Sequence, residues 1–545
     1  MGAVCAGEDY LMANTWKKVI DMLVWRQIAP APNAHAAAVC VAADLRNTVV
    51  RNPFAYQLVS ATVLNRFNIV TKGWSFLQSP ALAGTFGAGA AIAFAPSLGL
   101  VGTIAAGATT TSVVISTAFP TAVGVNMLAN RGGSGDFGFK IRIIDTTAGK
   151  TEERWITGNT SGTAPTINVD AAFTFTPATG ARYEILAGRV FMLGAGTTAS
   201  NIWRSFEVAS NTLSTGLSTT NLPATIATDS AIAVLDEQYV PYNNLPGEGM
   251  VKGATSYDTG LNALLATASA ASTITGQASG GDAVVAANEY RNFQIRIVAD
   301  PTTPGSVGQR RIIASHTAGP SAVYTLGTAW TTQPSAVARF VIEQPNLMLL
   351  RSSAVTTVYT YNYGDATVNN GTNSIASAAW STTYFAAGPA ANAAGGFWCP
   401  SFGIQPDTAR NARHSFCYFF RGGAATLDVL DIANTITGTW TGAITYDGSV
   451  TMGAGSGGSY APFGNEGRHT YINSYTASAI NQIFRFDAQN RVLSPYAPTD
   501  FLQTGAAVVG GRVATYVAID GTDKYDIVFL NAHLSTVCQE LIPLV

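Results

Sequence analysis

The sequence predicts an all-β protein, a β-propeller that carries two inserted, homologous small β modules. Three observations predict this fold: a recurring pair of short apolar strands, a segment that occurs twice in similar form, and a near absence of amphipathic helical patterns. One stretch, residues 16–24, has a period that suits either a helix or a strand. The 545 residues are enough to form several hydrophobic cores.

The recurring unit is an apolar strand, a turn of small residues, an aromatic-rich second strand and, in several copies, a tryptophan. The clearest copy begins at Phe416, and five others begin at Phe54, Val190, Leu347, Thr470 and Val513. A small twisted sheet cannot bury its apolar face alone, so such sheets stack in a ring. Six or seven blades are therefore expected, with residues 231–252 as the candidate for the seventh.

The two chain ends are predicted to meet in one sheet. Residues 14–16, Asn-Thr-Trp, have the pattern of the end of a blade whose beginning lies elsewhere in the chain. We therefore expect an N-terminal strand to complete a sheet made by the C-terminal residues, which would close the ring.

The duplicated segment predicts two modules of the same fold. Residues 139–144, 151–156, 172–177 and 181–185 match residues 293–298, 308–313, 329–334 and 338–342 in order and spacing. The predicted domains are a discontinuous propeller (1–98, 187–260 and 344–545), module 1 (99–186) and module 2 (261–343). Both modules are expected to leave the propeller between blades. Strand alternation places the polar residues Lys140, Arg142, Gln294 and Arg296 on one face.

Composition limits the classes of partner. Only 11% of the residues are charged and the formal net charge is −2, which does not favour nucleic-acid binding. Charge this scarce favours a surface covered by neighbours in a large assembly, with the chain as a homo-oligomer. The apolar residues 86–106 contain several glycines and a proline, so strands and loops are expected there and no membrane span.

The motifs that could carry chemistry favour structural interpretations. Residues 133–138 match G-x-G-x-x-G, but the residues after them form a strand pattern instead of the helix that a dinucleotide site needs. Cys399, His414 and Cys417 lack the doubly paired spacing of a zinc site. The five cysteines show no disulfide framework. No catalytic residue, cofactor or metal is therefore predicted.

Acidic and aromatic residues leave room for saccharide chemistry. Four mid-chain aspartates could supply the acids of a glycosidase, but they lie where turns are capped: Asp428, Asp431, Asp447 and Asp487. Four aromatic residues could stack on sugars or fill the blades: Trp380, Tyr384, Trp398 and Tyr460. The structural interpretation is favoured for both sets.

Two resemblances extend this interpretation. The unit with residues 418–423, residues 427–432 and Trp440 resembles a kelch-type blade. The glycine- and alanine-rich residues 82–90 and the duplicated modules, with residues 308–315 and Trp330, are similar to virion proteins of tailed bacteriophages. Modules of that kind contact neighbouring subunits or glycans.

The resemblance implies a non-enzymatic structural protein of a tailed-phage virion, in the neck, tail, fibre-associated or capsid-decorating class. Such a protein is assembled in the host cytoplasm and binds other virion proteins through its propeller and modules. The residues expected to contact partners are Arg142, Arg296, Arg310 and Arg311, with a solvated strand face as the alternative. The rival functions are a host-receptor or glycan-binding adsorption protein and, less favoured, a polysaccharide hydrolase.

Overall fold

A computed structural model gives the fold. It describes residues 23–27, 38–42, 54–59, 63–68, 72–76, 86, 90–95, 99–129, 139–194, 202–213, 217, 219–222, 226, 230–235, 255–257, 261–276, 286–352, 354–363, 379–393, 395–400, 416–446, 450–453, 456–461, 469–474, 482–488, 490–495, 512–520, 523–531 and 538–543. Within these ranges the regular structure is β, apart from one short 3-10 helix at Pro304–Ser306. The predicted all-β class is confirmed.

Small antiparallel sheets of four strands form a propeller-like arrangement, with strands numbered along the chain. Sheet 1 contains β2 (Ala38–Ala42), β3 (Phe54–Val59), β4 (Val63–Asn68) and β5 (Trp74–Phe76). Sheet 2 contains β6 (Ala91–Ala95), β13 (Arg189–Leu193), β14 (Trp203–Glu207) and β15 (Thr212–Leu213). Sheet 3 contains β16 (Ala231–Leu235), β24 (Leu347–Arg351), β25 (Tyr359–Asn362) and β26 (Trp380–Ser381).

The remaining sheets continue the series along the chain. Sheet 4 contains β27 (Phe397–Pro400), β28 (Phe416–Phe420), β29 (Thr426–Asp431) and β30 (Thr439–Thr445). Sheet 5 contains β31 (Gly457–Ala461), β32 (His469–Ser474), β33 (Gln482–Asp487) and β34 (Val492–Pro495). A closing sheet contains β35 (Arg512–Asp520), β36 (Asp523–Asn531), β37 (Cys538–Pro543) and β1 (Leu23–Gln27).

The first strand of each numbered sheet lies innermost. Strand β6 contacts β2 and β16, and β27 contacts β16 and β31. Five sheets thus follow one another in a propeller-like ring, where six or seven blades were expected. The closing sheet, described by its backbone alone, lies between them, because β35 contacts both β31 and β2.

The chain ends meet as predicted. Strand β1 pairs antiparallel with β37, from Leu23 opposite Pro543 to Gln27 opposite Gln539. The strand begins at Leu23, whereas residues 14–22 lie outside the described part of the chain. The predicted closure of the C-terminal sheet by an N-terminal strand is confirmed.

The strand in residues 231–252 does not begin a separate blade, so this prediction was wrong for that strand. Ala231–Leu235 pairs with Leu347–Arg351 and forms the inner strand of sheet 3. The two strands of this pair are separated in the chain by all of module 2, so local sequence could not show their pairing.

Aromatic side chains join neighbouring sheets. Tyr56 of sheet 1 lies 5.8 Å from Phe206 of sheet 2, measured between ring centroids. Trp203 of sheet 2 lies 5.2 Å from Trp380 of sheet 3. Burial of such large rings between sheets stabilises the ring as a whole, because each blade supplies the cover for its neighbour.

The two modules share one sheet of thirteen strands. Module 1 contributes β7 (Val101–Thr103), β8 (Ser112–Val114), β9 (Lys140–Asp145), β10 (Lys150–Asn159), β11 (Thr166–Val169) and β12 (Arg182–Leu186). The other seven strands are β17 (Thr255–Tyr257), β18 (Leu261–Ala270), β19 (Thr273–Gly276), β20 (Gln294–Ala299), β21 (Arg310–His316), β22 (Val323–Leu326) and β23 (Arg339–Glu343). The copies join where Lys150 of β10 pairs with Ala299 of β20.

Each module is inserted within a blade, which corrects the expectation that they leave the ring between blades. Module 1 lies between β6 and β13, the first and second strands of sheet 2. Module 2 lies between β16 and β24, the first and second strands of sheet 3. Because sheets 2 and 3 are neighbours, the two modules emerge side by side.

Candidate functional site

Strands β10 and β21 hold one arginine of each module in the same way. The Nε atom of Arg154 donates to the carbonyl oxygen of Ala172 at 3.2 Å, and that of Arg311 donates to Ala329 at 2.8 Å. Both guanidinium groups also lie over an aromatic ring, Phe173 for Arg154 and Trp330 for Arg311. These contacts fix the side chains, so the two positions are structurally equivalent.

The residues just before these arginines differ in charge. Arg154 forms an ion pair of 2.5 Å with Glu152, whereas Arg311 donates at 3.3 Å to the neutral amide of Gln309. The next position is Glu153 in module 1 and Arg310 in module 2. The formal charge of the three-residue stretch is therefore −1 (two glutamates, one arginine) in module 1 and +2 (two arginines) in module 2.

Arg310 takes part in an ion-pair network that crosses between the modules. It lies 3.1 Å from Glu184 of module 1, which also lies 2.8 Å from Arg142. Arg142 in turn lies 2.7 Å from Glu153. Burial alone would raise the pKa of Glu184, but Arg310, Arg142 and Arg182 outweigh it and lower that pKa to about 2.

Arg296 has a corresponding position in module 2, where it lies 2.6 Å from Glu343. Arg142 and Arg296 are each only 1% exposed. Strand alternation predicted that Arg142 and Arg296 lie on a polar face. Both are polar-face residues, but their guanidinium groups form buried ion pairs within the sheet. Their predicted contact with a partner stays a prediction, and in this conformation other side chains separate them from solvent.

Arg310 and Arg311 line a cleft of about 770 Å³ between module 2 and the ring. Its module wall also includes Asn292, Gln294, Ile312, Ala314, Gly327, Thr328, Ala329 and Thr331. Its ring wall is formed by Asn362, Ser381, Thr383, Tyr384, Ile436 and Thr437 from sheets 3 and 4 and their loops. No aspartate or glutamate is among these lining residues.

Hydrogen bonds connect the two walls of the cleft. The Asn292 side chain donates to the carbonyl oxygens of Ile432 and Thr435 in the loop after β29. The neighbouring Arg291 donates to Asn434 in the same loop. Tyr384 packs edge-on against Phe385 at 4.8 Å, and burial raises the pKa of its hydroxyl.

The mid-chain aspartates considered for hydrolysis are engaged in structural contacts. Asp428 is fully buried between Arg351, at 3.3 Å, and Arg421, at 2.5 Å. Asp431 accepts from the backbone N–H of Ala433, and Asp487 accepts from that of Asn490. Turn capping thus holds for Asp431 and Asp487, Asp428 joins sheets 3 and 4, and Asp447 lies outside the described residues.

Of the four aromatic candidates, only Tyr384 lines the cleft. Trp380 and Trp398 are buried in the blades. The side chain of Tyr460 lies outside the described part of the structure. Sequence reasoning did not identify Asn292, Ser381 or Thr383, because their proximity depends on how module 2 packs against the ring.

The remaining motifs show no site in the described residues. Cys399 and Cys417 are buried free thiols, and burial raises the pKa of Cys417 to about 12. His414 and residues 133–138 lie outside the described ranges. Across those ranges no cluster of three metal-binding side chains occurs, and no helix has the length and apolarity to cross a bilayer.

Comparisons with known proteins give structural neighbours at very low similarity. No family model and no curated protein matches the chain. A solved ulvan lyase of polysaccharide lyase family PL25 aligns over 95% of this chain and 96% of its own, with 8% identity and a TM-score of 0.26. A Bacteroides thetaiotaomicron protein of unknown function covers 83% and 97%, with 9% identity and a TM-score of 0.23. The Niastella koreensis GH74 enzyme covers 95% and 81%, with 11% identity and a TM-score of 0.19.

Proposed function

We propose that this chain is a non-enzymatic structural protein of a tailed-phage virion. The proposed body is a six-bladed, kelch-like ring, with the closing sheet as the sixth blade. The paired modules are the arm that contacts neighbouring virion subunits, in homo-oligomeric form within the particle. The resemblance noted above for residues 82–90 and 308–315 supports the virion assignment.

The observation that carries the docking role is the union of the two modules. They share one sheet, and the buried Arg310–Glu184 pair joins them. A broad sheet held by buried ion pairs presents its outer surface on an already ordered backbone, which suits a docking arm. The engagement of Asp428 by two arginines supports the non-enzymatic part of the proposal.

Antibody labelling of particles tests this function. An antibody raised against the recombinant chain should decorate intact tailed particles from lysates of the host that carries the gene, at a repeated position seen by electron microscopy. A pre-immune serum is the control. Labelling absent from particles whose other proteins are labelled would overturn the virion assignment.

A second candidate function is adsorption to a host-surface glycan. The cleft favours it, because a concave site of about 770 Å³ with many amides and hydroxyls suits a polyhydroxyl ligand. Light scattering of the purified chain with and without host envelope polysaccharide separates the two candidates. An unchanged mass and an unchanged polymer favour the assembly role, whereas complex formation favours adsorption and loss of polymer mass favours hydrolysis.

A further inference from the structure

We propose that the cleft between module 2 and the ring binds an acidic saccharide, a uronate-bearing oligosaccharide whose carboxylate lies against Arg311. This inference rests on the second candidate function, glycan binding, and assigns its site and ligand class. It does not depend on the virion assignment.

The charge of the module wall supports an anionic ligand. The two modules keep the same fold and the same arginine geometry, but the stretch ending at Arg311 differs from its copy by three units of charge. This change lies on the strand that lines the cleft. Because none of the lining residues is acidic, the change makes the site favourable for a carboxylate.

Arg311 is the arginine best placed to contact that carboxylate. Arg310 is directed towards the module junction, where it forms a two-point ion pair with Glu184 at 3.1 and 3.2 Å. Arg311 is held in place by the carbonyl oxygens of Arg310 and Ala329, by the Gln309 amide and the Thr331 hydroxyl, and by its position over Trp330. A guanidinium held in one orientation loses little entropy when it binds an anion.

The ring wall suits the sugar part of the ligand. Ser381, Thr383 and Thr437 supply hydroxyls, and Asn362 supplies an amide. Tyr384 is partly exposed and adds an aromatic surface, while Ile436 beside it is 62% exposed. Sugars combine hydroxyl groups with apolar C–H faces, so a wall that mixes hydroxyls with aromatic and aliphatic surface matches them.

Calorimetry with defined oligosaccharides tests the proposal. The full-length chain should bind tetragalacturonic acid and bind its uncharged methyl ester at least about tenfold more weakly, since charge-assisted hydrogen bonds are about twice as strong as neutral ones. The affinity for the acid should also fall as salt is raised.

Matched variants locate the site. Arg311→Gln should weaken binding of the acid about tenfold or more, whereas Arg154→Gln, the same change at the equivalent position of module 1, should leave it unchanged. Thr383→Glu places a negative charge in the cleft and should weaken binding of the acid. Thr382→Glu is its control, because Thr382 is also exposed but is not a lining residue.

The failures are distinguishable. Equal binding of the acid and its ester would overturn the acidic class while glycan binding stands. The site would be overturned if Arg311→Gln and Arg154→Gln lost the same affinity for the acid and if Thr383→Glu bound it as well as Thr382→Glu. No binding of any oligosaccharide from a uronate and neutral panel, or of the host polysaccharide, would overturn both this inference and the glycan-binding function.

Discussion

Arg310 of the second module and Glu184 of the first form a buried two-point ion pair that joins the copies of the duplicated fold. The same carboxylate accepts from Arg142, so its negative charge compensates arginines from both modules. Ion pairs from both modules therefore converge on a single carboxylate at the junction.

Replacement of Glu184 by glutamine should destabilise the paired modules. The change leaves Arg142, Arg182 and Arg310 close together without their shared counter-charge. Loss of one partner of a buried ion pair costs about 3–5 kcal/mol in free energy of unfolding. Urea unfolding of the full chain, followed by tryptophan fluorescence, measures this cost. Glu152→Gln is the control and should cost less, because Gln309 fills that position in module 2.

Acid should weaken the junction through the same residue. The pKa of Glu184 is lowered from 4.5 to about 2 in the folded chain, so the unfolded chain takes up the proton first as pH falls. Its contribution to stability is therefore complete above pH 4.5 and is lost as pH falls towards 2. Unfolding midpoints measured across that window should fall steeply for the wild type and less steeply for Glu184→Gln. Parallel curves would contradict this assignment.

His316 should make the stability of module 2 depend on pH near neutrality, separately from the effect of Glu184. Module 1 has asparagine at the equivalent position. The Nε2 atom of His316 accepts the backbone N–H of Tyr290 at 2.8 Å, whereas in module 1 the Oδ1 of Asn159 accepts that of Leu128 at 2.9 Å. Burial, with a further contribution from Arg291, lowers the pKa of His316 below 6.5. The unfolded chain therefore binds the proton first, and stability should fall as pH drops below 6.5.

An exchange of residues between the copies tests this dependence. His316→Asn should keep the hydrogen bond and remove the loss of stability just below pH 6.5. The reciprocal Asn159→His should add a loss in the same pH range. Thermal unfolding between pH 5 and 8 measures both, and an unchanged pH profile in both variants would rule out His316 as the source.

Deletion of the N-terminal strand should destabilise the closing sheet. Without Leu23–Gln27, strand β37 keeps only β36 as a partner and becomes the edge of the sheet, which promotes association with other chains. A chain that starts at residue 29 should unfold at lower temperature and form aggregates in light scattering. A chain that starts at residue 21 retains β1 and should behave like the full-length protein.

The sequence predicted those parts of the fold in which local pattern carries the information. The paired strands at Phe54 and Phe416 were visible because each pair is adjacent in the chain. The inner strand Ala231–Leu235 was misassigned, because its partner follows only after module 2. Local periodicity does not show which strands pair when they are far apart in the chain.

The candidate site was predicted only in part for the same reason. The alternation of polar and apolar residues identified Arg142 and Arg296 as polar-face residues. It does not show that other side chains bury that face. Arg310 and Arg311 were identified through the repeat and do line the cleft. The ring wall at Thr383 and Tyr384 depends on tertiary packing that no local pattern encodes.

The shared insertion point of the modules bears on how the gene arose. Each module interrupts a blade between its first and second strands, and those first strands, Ala91–Ala95 and Ala231–Leu235, both begin Ala-Ile-Ala. One tandem duplication of a segment that encoded a blade together with its insert accounts for both copies. The charge differences at Gln309 and Arg310 would then have arisen after that event, as the two copies diverged.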